Sequence, residues 1–147
     1  MLSAVSQFWR SAYRVQYRLL ALLDPLIRSA WNTFGIGNVV ELRVPNRKGN
    51  MRSRLVGILL TDGRSYLGHP NGDVGWTRDL DAAGGGVIKW PNGMEWQFSA
   101  RRLSPGAERE RAIRATNQHP FPGNLMYRLG RRHIRAVGVF FRLEDPA

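Results

Sequence analysis

The sequence predicts an α+β fold: a small closed barrel of about six mostly antiparallel strands, flanking helices and an N-terminal amphipathic helical arm. Two turn signals and one periodic segment carry this prediction. Asp-Gly at 62–63 and Pro-Asn-Gly at 91–93 each join two β-rich runs, and residues 3–31 repeat apolar side chains at helical spacing. Short strands with a long final return suit a closed barrel whose ends are plugged by helices.

The N-terminal arm, residues 1–37, is predicted to be helical and two-faced. Arg10, Arg14 and Arg18 recur every four residues and form a cationic stripe. Asp-Pro at 24–25 predicts a break into two helices, because the residue before proline avoids the helical region. A broad apolar face contains Val5, Phe8, Trp9, Ala12, Tyr13, Leu19, Leu20, Leu23, Leu26 and Ile27. Two interpretations stay open: this face packs on the barrel or a dimer mate, or it lies on a membrane with the arginines toward anionic headgroups.

Residues 38–147 are predicted to form the barrel domain, because β-rich runs and turns alternate there. The predicted strands are 38–44, 52–61, 64–68, 87–90, 94–103 and 133–143. Helices are predicted from just after the turn at 70–72 to about residue 83, and from 104 to about 116. Residues 121–130 are predicted to be a loop or a short helix.

The charge is strongly positive, at +11, and it is unevenly distributed. Residues 1–54 carry nine basic and two acidic groups, residues 55–100 three and five, and residues 101–147 ten and four. All basic residues except Lys48 and Lys89 are arginines, whose planar guanidinium binds phosphate and carboxylate with two hydrogen bonds. The composition therefore predicts an anionic partner: nucleic acid, acidic lipid or a phosphorylated cofactor.

Several classes of protein are excluded by composition. The chain has no cysteine, which rules out disulfides, thiolate catalysis and cysteine-bound metals. His69, His119 and His133 lack metal-ligand spacing, so no metal site is predicted. No apolar run reaches the roughly 20 residues that span a bilayer, and arginines interrupt any signal-peptide core. We expect a cytoplasmic protein, and the membrane interpretation of the arm places it on the inner face of the cell membrane.

One corner of the predicted barrel is a candidate cofactor site. Pro70, Asn71 and Gly72 form a turn between a strand and a helix, and such a corner presents backbone N–H groups to an anionic or flat polar ligand. Trp76 lies on the first turn of that helix, three residues before Asp79. We interpret Trp76 as a core residue or a ligand platform, and Asp79 as a carboxylate paired with arginine or as a catalytic acid or base.

The order of motifs resembles the deazaflavin-dependent nitroreductase family, which are split β-barrel members of the flavin and deazaflavin oxidoreductases. That family has a strand, a Gly-Arg-Lys/Arg-Ser-Gly-x-Pro-Arg loop, a hairpin, a glycine-containing turn and then Pro-x-Trp-x-x-Asn-Leu-x-Ala. Here residues 45–52 read Pro-Asn-Arg-Lys-Gly-Asn-Met-Arg, and residues 71–82 read Asn-Gly-Asp-Val-Gly-Trp-Thr-Arg-Asp-Leu-Asp-Ala. The likeness covers residues 38–145. Gly49, Met51 and Asp79 stand where the family has Ser/Thr, Pro and Asn.

The resemblance implies a bound coenzyme F420, with FMN a less expected alternative, and hydride transfer to a hydrophobic acceptor such as a quinone, a nitro compound or another activated double bond. The implied cofactor-binding residues are Arg47, Lys48, Arg52, Arg54, His69, Pro70, Asn71, Gly72, Trp76 and Asp79. The implied substrate-pocket residues are His119, Phe121 and Tyr127. No catalytic side chain is implied, because the coenzyme performs the redox step.

Two other functions stay open. A diverged family member would bind a fatty acid or another lipid in the same cleft. A nucleic-acid-binding barrel is suggested by the net charge and five tryptophans, but most of these tryptophans fall on apolar stretches.

Overall fold

The structure, a computed structural model, describes residues 3–146; Met1, Leu2 and Ala147, which the predicted domains include, lie outside the described residues. The helices are α1 (Ala4–Leu22), α2 (Asp24–Phe34), α3 (Gly75–Ala83), α4 (Ala107–Ala115), α5 (Gly123–Leu129) and α6 (Arg131–Val137). The strands are β1 (Val39–Pro45), β2 (Met51–Gly57), β3 (Leu59–Thr61), β4 (Arg64–His69), β5 (Gly85–Lys89), β6 (Glu95–Arg102) and β7 (Val139–Glu144).

All seven strands form one antiparallel sheet in the order β2-β1-β5-β6-β7-β4-β3. Strands β2 and β3 are separated in the chain by Ile58 alone, yet they lie at opposite edges of the sheet. The sheet therefore curls until its two edges meet at Ile58. This arrangement confirms the predicted α+β barrel with flanking helices and a helical arm.

The predictions for two strands, 52–61 and 133–143, were partly wrong. The predicted strand 52–61 is two strands, because the chain passes at Ile58 from one edge of the sheet to the other, and the sheet consequently has seven strands. The predicted strand 133–143 begins instead as α6. His133, Ile134 and Val137 are the inward-facing residues there, and their spacing is that of one helical face. Residues 121–130 contain the helix α5, one of the two predicted alternatives.

The turn between β3 and β4 is as predicted. Asp62 and Gly63 have φ angles of 53° and 72°, and Thr61 pairs with Arg64 across the turn. Two consecutive residues with positive φ are typical of the type I′ turn, whose twist matches that of the flanking strands. The Asp-Gly pair therefore encodes this hairpin locally.

Two apolar cores lie on the two faces of the curled sheet. The barrel interior contains Val40, Leu42, Val44, Ile58, Leu67, Trp76, Leu80, Ile88, Phe98, Val139, Phe141 and Leu143. The second core joins the sheet to α1, α4, α5 and α6 and contains Tyr13, Leu59, Tyr66, Ala112, Ile113, Ala115, Tyr127, Ile134 and Phe140. Because alternate residues of a strand face opposite sides, β7 supplies Phe141 to one core and Phe140 to the other.

The helical arm packs against the rest of the chain. Helices α1 and α2 meet at Leu23, where the Asp-Pro pair predicts the break. The indole nitrogen of Trp31 donates to the Val39 carbonyl oxygen at 2.8 Å, which holds α2 on β1. The Tyr13 hydroxyl donates to the Met126 carbonyl oxygen at 2.8 Å, which holds α1 on α5. No helix within residues 3–146 combines the length and the apolar character needed to cross a membrane.

Candidate functional site

A cleft of about 330 Å³ opens between the β1–β2 hairpin and α3, a volume at the low end of small-molecule sites. Four of the predicted cofactor residues come together in it: Arg52, Arg54, Trp76 and Asp79. The remaining lining residues, which the sequence did not single out, are Leu42, Val44, Asn46, Ser53 and Gly75.

The hairpin places two arginines beside two apolar side chains. Arg52 pairs with Val44 and Arg54 with Leu42 across the β1–β2 ladder. Directly opposed residues of an antiparallel pair lie on the same face of the sheet, and so do residues two apart on one strand. The four side chains therefore share one face, with an apolar floor on β1 and a cationic rim on β2.

Helix α3 closes the other side of the cleft. The Thr77 hydroxyl accepts a hydrogen bond from the Val74 N–H at 2.8 Å, which caps the start of the helix. Trp76 and Asp79 are three residues apart and so face the same way. Trp76 is only 8% exposed and belongs to the barrel core, so it is a core residue with part of its ring in the cleft wall. Both interpretations of Trp76 fit this position.

The cleft is positively charged. Among the described residues, neither Arg52 nor Arg54 forms an ion pair with a carboxylate, and Asp79 has no arginine within salt-bridge distance. Partial burial lowers the pKa of the Arg54 guanidinium, while the nearby Tyr17 and Asp79 oppose that shift. Asp79 thus lacks the expected arginine partner among the described residues, and the cleft lining holds two guanidiniums and one carboxylate.

The basic loop between β1 and β2 lies outside the cleft lining. The Asn46 side-chain oxygen accepts from the backbone N–H groups of Lys48 and Asn50, at 3.0 and 2.9 Å, which fixes the loop as a tight turn. Arg47 and Lys48 are exposed on this turn. They extend positive charge outward from the end of the cleft marked by Asn46.

The corner at residues 69–72 is buried rather than open. His69, Pro70, Asn71 and Gly72 are all buried. The Asn71 side chain donates to the Arg10 carbonyl oxygen at 2.9 Å and contacts the His133 ring nitrogen at 3.0 Å. These contacts tie the corner to α1 and α6. Within the described residues, the corner is therefore not part of the cleft lining. His69 is nevertheless close to Trp76, which does line the cleft; their ring centroids are 6.1 Å apart.

The predicted substrate residues lie on the helical side of the barrel. His119 and Tyr127 are in contact, with ring centroids 4.7 Å apart, and the Tyr127 hydroxyl lies 2.7 Å from the Tyr17 hydroxyl. Phe121 instead points outward and is 76% exposed. Tyr17 connects this group to the corner, because its ring stacks on His69 at 4.8 Å.

Burial keeps the histidines of this region neutral. It lowers the pKa of His69 to about 4, with a further contribution from the Arg54 charge, and it lowers the pKa of His119 to about 4. Burial raises the pKa of Tyr17 and, more strongly, that of Tyr127. No group of three or more His, Asp or Glu side chains that could hold a metal ion comes together within residues 3–146.

No family model matches the chain, and no curated protein matches it. Several solved structures, in contrast, are similar to the chain. The Mycobacterium tuberculosis protein Rv2991 is 10% identical with a TM-score of 0.58, covering 84% of this chain and 80% of that one. HutZ, the heme storage protein of Vibrio cholerae, is 11% identical with a TM-score of 0.55, covering 85% and 91%. A protein of the pyridoxine-phosphate oxidase family from Clostridium acetobutylicum is 14% identical with a TM-score of 0.54, covering 87% and 84%.

Sequence identities this low show only that the chain shares the fold of these proteins. The chain has the split β-barrel fold of the proteins that resemble pyridoxamine-phosphate oxidase, which is the fold that the sequence resemblance implied.

Several lining residues were missed although the sequence contains a signal for them. Leu42 and Val44 alternate along the predicted strand β1, and Asn46 continues the same alternation. Pairing them with Arg52 and Arg54 requires only the short loop between the two strands. The role of Tyr17 had no such signal, because its partners His69 and Tyr127 are distant in sequence.

Proposed function

We propose that this chain binds a flat, anionic redox cofactor of the flavin type in the cleft between the β1–β2 hairpin and α3, and acts as an oxidoreductase. The observation that carries the proposal is the pair Arg52 and Arg54, which have no carboxylate partner among the described residues and stand beside the ring of Trp76. Guanidiniums without a carboxylate partner are suited to a phosphate, which accepts two hydrogen bonds from each.

The deazaflavin coenzyme is the first candidate and FMN the second. Both have a flat ring and a phosphate, but only the deazaflavin coenzyme has an additional anionic tail. Arg47 and Lys48 lie beyond Asn46 at one end of the cleft, where they would attract such a tail. When bound, either cofactor supplies hydride transfer to a hydrophobic acceptor, and the residues of the cleft hold and orient it.

The fold neighbours give this proposal limited support. One belongs to a family of oxidases named for a phosphorylated compound, and another stores heme, which is also flat and anionic. Heme itself fits the cleft poorly, because no His, Cys, Met or Tyr is among its described lining residues and heme iron requires such a ligand.

Titration of the full chain with the deazaflavin coenzyme and with FMN tests the proposal. We expect saturable quenching of cofactor fluorescence by at least one of them at micromolar protein, weakening as salt is added because the contact is ionic. Absence of binding by both cofactors at low ionic strength would refute the proposal. A fatty acid that co-purifies with the protein in native mass spectrometry would instead support the lipid-binding alternative.

Two substitutions in the cleft are expected to change affinity in opposite directions. Arg54→Gln removes a phosphate contact and should weaken cofactor binding about tenfold, the usual value of a hydrogen bond to a charged group. Asp79→Asn removes the carboxylate that faces the anion and should tighten binding several-fold. Arg78→Gln is the matched control, because Arg78 is exposed on α3 and does not line the cleft. Equal effects of Arg54→Gln and Arg78→Gln would place the cofactor elsewhere.

A further inference from the structure

The outer face of α1 carries a row of exposed apolar side chains. Val5, Phe8, Val15, Leu19 and Leu22 are each 55–78% exposed. Their spacing of three, four or seven residues puts them along one line of the helix. Because Tyr13, on a different side of α1, is fully buried against the sheet-side helices, α1 is docked by one face and leaves a second apolar face uncovered by the described chain.

Helix α5 widens this surface. Leu125 and Leu129 are one helical turn apart and are 41% and 62% exposed. Helix α5 lies directly beside α1, since Tyr13 donates to the Met126 carbonyl oxygen and a side-chain carbon at Gly123 would lie 3.6 Å from the Gln16 side chain. We call the exposed apolar side chains of α1 and α5 together the outer apolar face. Exposed apolar side chains in such number on neighbouring helices are typical of an interaction site.

The charged residues of α1, α5 and α6, the helices that carry and flank the outer apolar face, are all basic. Helices α1, α5 and α6 contain seven arginines and no aspartate or glutamate. Arg14, Arg18, Arg128 and Arg132 are exposed, and none of them forms an ion pair among the described residues. The surface thus combines apolar side chains with uncompensated positive charge.

We propose that the outer apolar face docks the protein on an anionic lipid surface. The leucines and Phe8 enter the region between headgroups and acyl chains, while Arg14, Arg18 and Arg128 contact the lipid phosphates. A second copy of the chain is a poorer occupant, because pairing the face with itself brings arginines against arginines. Nucleic acid would satisfy the arginines but leave the leucines without an apolar partner.

Vesicle sedimentation of the full chain tests the proposal. We expect binding to vesicles of phosphatidylcholine mixed with phosphatidylglycerol, and much weaker binding to vesicles of phosphatidylcholine alone. Leu19→Ser with Leu22→Ser should lower the partition coefficient at least about tenfold, because each leucine loses its apolar contact. Arg14→Gln with Arg18→Gln should lower it about tenfold on anionic vesicles and leave it unchanged on neutral ones.

The control variant is Leu60→Ser with Met94→Ser. Both residues are more than half exposed and belong to neither α1 nor α5. This variant should bind vesicles like the wild-type protein, and circular dichroism should show all three variants folded.

Three results would overturn the proposal. The first is no binding to anionic vesicles at low ionic strength. The second is an equal loss of binding in the control variant. The third is a dimer or a complex with single-stranded DNA, seen by analytical ultracentrifugation, that is abolished by Leu19→Ser with Leu22→Ser while vesicle binding is not.

Discussion

Lowering the pH from 7 to 4 is expected to reduce the free energy of unfolding by up to about 3 kcal/mol because of the lowered pKa of His69, and by somewhat less because of that of His119. Burial lowers the pKa of each imidazole from its ordinary value of 6.5 to about 4. Between these two values the unfolded chain binds a proton that the folded chain does not. The contribution of these two histidines to the free energy of unfolding is therefore constant above pH 6.5. It falls as the pH drops from 6.5 to about 4 and is constant again below that.

Urea unfolding at several pH values measures this effect. Carboxylates also lose stabilisation at low pH, but they do so equally in the wild-type protein and in histidine variants. His69→Gln and His119→Gln should each show a shallower loss of stability between pH 6.5 and 4 than the wild-type protein, with the largest difference for His69, which is 6% exposed. Identical pH profiles for the wild-type protein and both variants would show that these histidines are not buried in the folded state.

Tyr13→Ala is expected to destabilise the whole protein by about 3–5 kcal/mol, the usual cost of truncating a fully buried aromatic residue. Tyr13 is 0% exposed and lies in the core that joins the arm to α5 and α6. Its hydroxyl also donates a hydrogen bond to the Met126 carbonyl oxygen. Because this core is continuous with the sheet through Phe140 and Tyr66, the arm and the barrel should unfold in one transition.

Leu22→Ala is the matched control. Leu22 is on the same helix but is 78% exposed, so its truncation should change the free energy of unfolding by less than about 0.5 kcal/mol. Thermal unfolding followed by circular dichroism measures both variants. If Tyr13→Ala melted the arm alone and left the barrel transition unchanged, the arm would be an independent unit.

The fold was predictable where local chemistry determines it. The turn at 62–63 and the break at 24–25 are encoded by single residue pairs, whose backbone preferences do not depend on distant contacts. The passage from β2 to β3 at Ile58 was not predictable, because a continuous β-rich run does not show where its pairing partner changes. The helix α6 was missed because the apolar residues of 133–143 suit a strand and a helix equally over so short a stretch.

The candidate site was half predictable. The family resemblance implied Arg52 and Arg54, and the position of Trp76 on the first turn of a predicted helix marked it as a candidate. The burial of residues 69–72 depends on α1, more than fifty residues earlier in the chain, which docks through Arg10 and Tyr17. The sequence marks the corner as a possible ligand site but contains no sign of the helix that covers it. The amphipathic pattern of α1 likewise did not distinguish the buried face with Tyr13 from the exposed face with Leu19.

The central claim is that the arginines of the cleft bind the phosphate of a flat cofactor. The most direct test is the affinity of FMN relative to riboflavin, and of the deazaflavin coenzyme relative to its phosphate-free chromophore, for the wild-type protein and for Arg52→Gln with Arg54→Gln. We predict that in at least one pair the phosphorylated form binds the wild-type protein more than about tenfold more tightly, and that the double variant abolishes this preference. Equal affinity of the wild-type protein for both members of each pair, or a preference that persists in the double variant, would contradict the claim.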